Sequence, residues 1–208
     1  MSATVTPLAF QPQKAPEDEA RAGYYALLAR LFYAAADAPL LEAIAAAHEP
    51  VAEAQRTPLA SAWSALAIAA RAARVEAARL EYDELFIGTG KAAVTPYASY
   101  YLAETGREKI LVRLKQELAS LGLVRSDPAH EPEDHVAALF EVMRHLISQG
   151  SEDAALQKQR EFFSRYVEAS LKRFCSAVAA SEKAIFYKHV AHFAEVFLMV
   201  ESEALKVF

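Results

Sequence analysis

The sequence has little cysteine and glycine and no excess of basic residues, and each of these features argues against a class of protein. A single cysteine, Cys175, in 208 residues excludes an intrachain disulfide and a cysteine-based zinc site. Only six glycines, in a chain that is 54% hydrophobic and rich in alanine, favour helices over sheets. The net charge of −5 argues against a nucleic-acid-binding protein, because such surfaces are usually basic.

Targeting segments and long apolar runs are also missing. The opening MSATVTPLAFQPQKAP lacks the basic start and continuous apolar stretch of a secretory signal. The longest run of small apolar residues, ASAWSALAIAARAA, is too short and too rich in alanine to span a bilayer. We therefore expect a cytoplasmic protein. Residues 1–16 are predicted to be a flexible N-terminal tail, and residues 17–208 one all-helical domain.

Helical periodicity runs through almost the whole chain. The spacing predicts helices over residues 17–36, 39–48, 58–86 (one helix or two abutting), 100–123, 132–148, 152–180 and 181–206. A loop with two glycines and a proline, residues 87–99, interrupts the pattern. The fold class is therefore predicted to be all-α, a single-domain bundle of seven or eight helices.

Motifs for catalysis are weak. The GTGK segment at residues 88–91 does not fit a phosphate-binding loop, because Ala92 follows the lysine and no strand precedes it. No Glu-x-x-His pair of a di-iron bundle occurs. His189 and His192, with Glu195, share one side of a helix at a spacing that suits a metal, but the sequence offers no third and fourth ligand, and exposed or capping histidines explain them better. We expect no cofactor.

The triplet Pro-Glu-Asp occurs twice, each time ahead of an apolar helical run. The first is in APEDEARAGYYALLARLF, and the second is in EPEDHVAALFEVMRHL, residues 131–146. Proline suits the first helical position, and acidic residues suit the first turn, where free N–H groups carry partial positive charge. We therefore expect the second of these helices to begin at Pro132. His135 has no role in such a start, which makes it a candidate site residue.

Beyond His135, apolar residues recur at the spacing of one helical face, which predicts that this face enters the core. They are Val136, Leu139, Phe140, Met143, Leu146 and Ile147. Asp134, Glu141 and His145 follow a neighbouring stripe, on which Glu141 and His145 are spaced to pair. Two interpretations stay open for this polar stripe: the solvated edge of a helix, or the lip of an apolar groove.

Four segments together resemble the TorD/DmsD/NarJ family of chaperones for molybdenum-cofactor redox enzymes. They are RAGYYALLARLF, EYDELFIGTGKAAVTPYASYYL, EPEDHVAALFEVMRHL and IFYKHVAHFAEVFL, in family order. The matching positions are Tyr82, Leu85, Phe86, Pro96, Ser99, Glu131, Pro132, Asp134, His135, Phe186 and Tyr187. The chain departs from the family pattern at Tyr166 and Ser170, which stand where the family usually has histidine and tryptophan. Roles of those two family residues do not carry over.

The resemblance implies a cytoplasmic, all-helical, TorD-like chaperone for redox enzyme maturation that is not an enzyme. It would bind the twin-arginine signal peptide, the apo-form of the catalytic subunit, or both, of a molybdopterin oxidoreductase. It would hold this partner until cofactor insertion and before export. The family's Asp-His pair, associated with peptide recognition, falls on Asp134 and His135. The chain would be a monomer or homodimer, with no nucleic-acid partner and no stable membrane insertion.

A helical peptide binds in an apolar trough with charges at one end. We expect the aromatic residues in and around the 87–99 loop to line such a trough: Phe86, Tyr97, Tyr100 and Tyr101. The candidate peptide-binding residues are Asp134, His135, Glu131, Pro132, Phe86, Pro96, Tyr97, Ser99, Tyr101, Glu141 and His145. Two alternatives stay open: a metal-dependent enzyme on a helical bundle, and a structural subunit of a larger complex.

Overall fold

The computed structural model describes residues 15–47, 57–88, 92–124 and 131–207. The predicted tail up to residue 14 and residues 89–91 of the GTGK segment lie outside the described residues. The helices are α1 (Pro16–Tyr33), α2 (Ala38–Ala46), α3 (Pro58–Ala72), α4 (Val75–Tyr82), α5 (Ala98–Leu102), α6 (Arg107–Ser120), α7 (Val136–Ser148), α8 (Asp153–Phe162), α9 (Glu168–Ala180) and α10 (Tyr187–Val207).

Two π-helical turns join these elements into longer helices. Asp83–Ile87 extends α4, and Phe163–Val167 connects α8 to α9 without a break. Counted as continuous helices, the described residues hold nine, of which eight have at least seven residues. Within the same residues the β structure is one isolated antiparallel bridge, between Tyr97 and His135. The prediction of an all-α bundle of seven or eight helices is confirmed.

Three predicted helix boundaries are wrong. The region predicted as one helix over 100–123 is two helices, because the chain turns at Gly106, whose φ of 71° lies in the left-handed region. The last helix begins at Tyr187 and not at residue 181. The helix predicted from Pro132 begins at Val136. Residues far away in the sequence explain the last two cases. Glu81 accepts the backbone N–H groups at the start of α10, and Ala98 and Ser99 donate to Asp134, which keeps it out of α7.

The apolar stripe of α7 enters the core, as predicted. Its six residues are at most 3% exposed. Helix α7 packs mainly against α1, and ring contacts between the two helices place Phe140 against Tyr25 and Phe32. The two helices run antiparallel, since Tyr33 at the end of α1 meets His135 at the start of α7. This pair of helices forms the floor beneath the candidate site.

The start of α10 is capped by a carboxylate from another helix. The side chain of Glu81 in α4 is 8% exposed and accepts hydrogen bonds from the backbone N–H groups of Ile185, Phe186 and Tyr187, at 2.8, 2.9 and 2.7 Å. A carboxylate suits this position because the first N–H groups of a helix have no partner within it. Nearby, the hydroxyl of Tyr187 accepts from the N–H of Ala36, at 3.2 Å.

Candidate functional site

The site forms where the loop before α5 meets the turn before α7. The N–H of Ala98 donates to the carbonyl of Asp134 at 2.8 Å, and the N–H of Val136 donates to the carbonyl of Pro96 at 2.9 Å. These bonds flank the bridge between Tyr97 and His135. The loop and the EPEDH segment, joined here between residues at least 36 positions apart in the chain (134 − 98 = 36), are therefore fixed side by side.

The carboxylate of Asp134 accepts a hydrogen bond from the backbone of α5 and not from that of α7. Its carboxylate Oδ2 accepts the N–H of Ser99, in the first turn of α5, at 3.2 Å. The residue is only 3% exposed. The prediction that it belongs to the first turn of its own helix is therefore wrong: the triplet Pro-Glu-Asp forms a turn, and the backbone of Asp134 is held by Ala98 instead.

His135 is the N-cap of α7. Its Nδ1 accepts the N–H of Ala137 at 3.2 Å, so the expectation that this histidine has no role in a helix start is also wrong. The side chain is 4% exposed, and burial lowers its pKa, although Glu131 and Asp134 act in the opposite direction. In the neutral ring with Nδ1 as acceptor, the proton is on Nε2. No described residue accepts that proton.

An open, largely apolar groove of about 560 Å³ lies on this face of the bundle. It runs between the second half of α1, the end of α6 and the outer face of α7. Its apolar lining is Ala29, Tyr33, Leu118, Leu123, Val124, Pro132, Ala137, Ala138 and Val142, and its polar lining is Arg30, Glu131, Glu133, His135, Glu141, Arg144 and His145. Five of the predicted site residues meet here: Glu131, Pro132, His135, Glu141 and His145.

Carboxylates stand at the end of the groove where α7 begins. Glu131 accepts a hydrogen bond from the hydroxyl of Tyr97 at 2.8 Å. Burial, and then this bond, raises the pKa of Tyr97 to about 12. Oε2 of Glu133 lies 3.4 Å from Nζ of Lys115, without the geometry of a hydrogen bond. This end of the groove therefore favours a positively charged partner.

At the other end of the groove, the predicted pairing is different in the structure. Oε2 of Glu141 lies 2.7 Å from Nε of Arg144, so the pair expected between Glu141 and His145 is replaced by one with the arginine. Both partners are about half exposed, and such a pair contributes little to stability. Glu141 and His145 line the groove, whereas Asp134, the third residue of this polar stripe, does not.

A second, smaller cleft of about 260 Å³ lies on the other side of the Pro132–Asp134 turn. Its lining is Thr95, Tyr97, Ser99, Tyr100, Arg107, Glu108, Leu111, Pro132 and Asp134. The predicted site residues Tyr97, Ser99 and Asp134 are found here and not in the groove. The single trough expected from the sequence is therefore two cavities that share Pro132.

Three predicted site residues line neither cavity. Phe86 is 5% exposed and packs among Phe32, Phe174 and Tyr187. Pro96 is buried and contributes its carbonyl, as described above. Tyr101 is 9% exposed, and its hydroxyl donates to the carbonyl of Thr95 at 2.8 Å. We correct the expectation for these three: they support the loop from inside the bundle.

The sequence interpretation missed one wall of the groove. Tyr33 is 53% exposed at the end of α1, and Leu118 and Leu123 come from α6 and the residues that follow it. An exposed tyrosine beside a buried phenylalanine at the end of a helix is a weak signal for Tyr33. For the two leucines there is no signal, because their role depends on where α6 packs.

Metal and membrane sites find no support in the described ranges. No group of three or more histidine, cysteine, aspartate or glutamate side chains there is arranged to hold a metal ion, and this includes His189 and His192. Every helix in those ranges is too short or too polar to cross a bilayer.

The fold and the groove define a class of protein: an all-helical bundle that exposes an apolar groove beside a loop and a turn joined by backbone hydrogen bonds. The chain belongs to the nitrate reductase delta subunit family, whose model matches residues 52–176. The match includes the loop, the EPEDH turn and α7. The resemblance to the TorD/DmsD/NarJ family is thereby confirmed.

Relatives that match this chain are named chaperone protein TorD. The protein from Vibrio parahaemolyticus is 27% identical over 134 residues, covering 60% of this chain and 62% of the relative. The one from Shewanella loihica is 27% identical over 136 residues, covering 60% and 61%. A third, from Vibrio atlanticus, is 30% identical over 96 residues, covering 44% and 45%. The matched region thus spans less than two thirds of the relatives' length.

Proposed function

We propose that this protein is a non-enzymatic chaperone for the maturation of a redox enzyme, and that its groove binds the client's signal peptide. The observation that carries the proposal is the open apolar groove along α7, with Glu131 and Glu133 at one end. Family membership and the relatives named as TorD chaperones support the same role.

The groove suits an amphipathic or apolar helix. Peptides of this kind place side chains at i, i+3, i+4 and i+7 into a trough between helices, which is the shape that α1, α6 and α7 form here. A twin-arginine signal peptide combines a basic segment with an apolar one. In the proposed complex, the apolar segment lies on Ala138 and Val142, and the basic segment lies at the Glu131 end.

Most of the affinity is expected from the apolar segment. Burial of on the order of 300 Å² gives roughly 7 kcal/mol at about 25 cal/mol per Å². Loss of motional freedom and ordering of the helix offset much of this, which leads to a Kd nearer micromolar than nanomolar. Carboxylates at the rim contribute about 0.2–1 kcal/mol each, so they set the register of the peptide more than its affinity.

His135 supplies a directional contact in this arrangement. With Nδ1 engaged by Ala137, its Nε2–H is the ring's remaining donor, and a peptide carbonyl or side-chain oxygen is a suitable acceptor. The partner is the apo-form of a molybdopterin oxidoreductase catalytic subunit or its signal peptide. Holding that partner in the cytoplasm until cofactor insertion and before export is the biological role that we propose.

A groove-filling variant tests the site. Ala138 lies on the groove wall and is partly exposed, so Ala138→Trp should occupy the groove and weaken peptide binding at least about tenfold. Ala65→Trp is the matched control, because Ala65 is a partly exposed alanine of α3 that lies outside the groove. Calorimetry with the peptide and thermal melts of both variants are the measurements. Equal loss in the two variants would refute the location.

Variants of the peptide test how much of the binding free energy comes from its basic segment and how much from its apolar segment. Changing both arginines to lysine should weaken binding about twofold to fivefold, since charge is kept. Changing two apolar-segment leucines to serine should weaken it at least about tenfold. If the lysine peptide is the weaker binder and added salt abolishes binding of the native peptide, recognition is electrostatic and the groove does not carry it. Capture of an apo-redox subunit from source cells, with identification by mass spectrometry, tests the client class.

A further inference from the structure

Helix α6 forms one wall of the groove, and it is held less firmly than α1 and α7, which form the rest. We infer that α6 is a movable wall, which pivots on its contacts with the π-helical turn Phe163–Val167 and opens the groove on the side of Lys115. The motion is a property of the free protein. Its use, the entry of a peptide, rests on the proposed function.

Very little of α6 is buried. Of its fourteen residues one, Leu114, is buried, whereas α7 buries eight of thirteen. Leu118 and Leu121 are partly buried against the core, and the helix packs chiefly against the five-residue α5. A segment with few buried apolar contacts moves at a lower cost in free energy than a helix of the core.

Both ends of α6 have a glycine in the left-handed region of the backbone. Gly106, with a φ of 71°, lies directly before the helix, and Gly122, with a φ of 74°, lies two residues after it. Glycine absorbs the change in backbone angles at a hinge with little steric cost. The helix can therefore turn as a unit while its internal hydrogen bonds stay intact.

Two polar contacts flank the apolar stripe of α6. At 3.6 residues per turn, Lys115 lies about 100° to one side of Leu114, and Glu117 lies about 60° to the other. Lys115 approaches Glu133, which lines the groove. Glu117 contacts the π-helical turn Phe163–Val167 on the far side. The helix thus lies on the core with one polar contact at each edge.

The contact on the far side is the stronger of the two. Oε2 of Glu117 accepts a hydrogen bond from the hydroxyl of Tyr166 at 3.0 Å and also pairs with Nη1 of Arg165. The Glu117 side chain is only 17% exposed. Burial, and then the bond to Glu117, raises the pKa of Tyr166 to about 12, so the hydroxyl remains a donor at neutral pH. This edge of α6 is therefore the pivot.

The contact on the groove side is the weaker one. Nζ of Lys115 lies 3.4 Å from Oε2 of Glu133, and this oxygen is buried without a hydrogen-bond partner among the described residues. The Lys115 side chain is 51% exposed, and an ion pair of that kind contributes little. A buried oxygen without a donor costs free energy, and outward movement of α6 admits water to it. Opening on this side therefore relieves one penalty while it breaks one weak contact.

Outward movement of α6 widens the groove along its length. Leu118 of the helix lines the groove, as do Leu123 and Val124 just after it. A helical peptide is about 10 Å wide, so a wall that moves lets it enter from the side. Residues of α6 also line the small cleft, and the two cavities therefore change together.

The test measures distances between two nitroxide labels in the free protein by pulsed electron paramagnetic resonance. Gln116 of α6 and Ala179 of α9 are exposed and are changed to cysteine in a Cys175→Ala background. The reference pair is Ala179 with Gly23 of α1, where an added side chain meets no other atom within 4 Å. We expect two populations for the α6 pair and one narrow population for the reference pair. Equal, narrow distributions for both pairs overturn the inference.

Substitutions at the two edges sharpen this test. Lys115→Met should raise the ratio of open to closed populations about twofold to fivefold. Lys115→Arg should lower it, since a guanidinium donates to Glu133 with more N–H groups. Tyr166→Phe weakens the pivot and should broaden both populations. Lys109→Met is the matched control, because Lys109 is an exposed lysine of α6 outside both contacts. A ratio that responds equally to Lys115→Met and Lys109→Met contradicts the assignment.

The labelled protein also separates this inference from the proposed function. Saturating signal peptide should convert the two α6 populations into one. If the peptide binds in the groove and α6 keeps a single position with and without it, the movable wall is wrong and the function stands. If α6 has two populations that respond to Lys115→Met and no signal peptide binds the groove, the function is wrong and the movable wall stands.

Discussion

The two Pro-Glu-Asp segments of this chain have the same sequence and different structures. Pro16 is the first residue of α1, and the N–H groups of Asp18 and Glu19 donate to the carbonyl of Ala15, at 3.0 and 3.1 Å. Pro132 lies four residues before α7, in a turn that is closed by a hydrogen bond from the N–H of His135 to the carbonyl of Pro132, at 3.1 Å. The first triplet opens a helix, and the second stops short of one.

The difference lies in what surrounds each triplet. Asp18 pairs with Arg21 one turn later, and Arg21 also donates to Glu201 through two nitrogens, at 2.8 and 3.0 Å. The first triplet is thus held within its own helix. In the second, Asp134 is held by Ala98 and Ser99 of another segment. Local helix preference is weak, at a few tenths of a kcal/mol per residue, so one such set of bonds overrides it.

Among these substitutions, the replacement of Arg21 near the start of α1 should lower the free energy of unfolding most. Glu201 is 1% exposed, and without its arginine it becomes a buried carboxylate with no positive partner. We expect Arg21→Met to lower the free energy of unfolding by about 3 kcal/mol. Denaturant unfolding measures this, with Arg79→Met on an exposed ion pair as the control. A midpoint equal to that of the control would show that the buried pair is dispensable.

Asp134 and Asp18 give the direct comparison of the two triplets. Asp134→Ala leaves the N–H of Ser99 without its acceptor and should lower the free energy of unfolding by about 1–2 kcal/mol. Asp18→Ala should cost about 0.5 kcal/mol, because Arg21 keeps its bonds to Glu201. Asp134→Asn should restore most of the loss. The comparison fails if the two alanine variants are equally stable.

His135→Asn separates the capping role from titration. Burial lowers the folded-state pKa of His135, so its protonation favours unfolding. The stability that the neutral ring supplies is present above the ordinary pKa of about 6.5 and is lost as pH falls through it towards the lower folded value. Asparagine caps a helix without titrating. The native protein should therefore lose more stability than the variant between about pH 7.5 and pH 5, and parallel curves would contradict this.

Deleting residues 1–14 should have the smallest effect. The carbonyl of Ala15 accepts the N–H groups of Asp18 and Glu19, so these two bonds at the start of α1 do not need the preceding residues. We expect a melting temperature within about 1 °C of the native value, where a change of 1 kcal/mol would shift it roughly 2–4 °C. Peptide binding should also be unchanged. A clear loss in either measurement would show that these residues contact the bundle.

The sequence alone predicted those elements whose structure depends on residues close to them in the chain. The buried stripe of α7 follows from spacing alone, and the family follows from the loop and EPEDH motifs. The division of the site into two cavities does not, because it depends on the bridge between Tyr97 and His135. The burial of Phe86 and Tyr101 was missed for a related reason. Aromatic residues near a loop have the same pattern whether they face solvent or the core.

The carboxylate of Glu81 joins parts of the chain that are far apart in the sequence. It has no hydrogen-bond donors among the described residues other than the N–H groups of Ile185–Tyr187, and the hydroxyl of Tyr187 in turn accepts from Ala36, between α1 and α2. Glu81 lies 106 positions from Tyr187, and Ala36 lies 151 positions from it, so both contacts close long loops of the chain. We therefore expect the start of α10 to be fixed late in folding, after the contacts between neighbouring helices have formed.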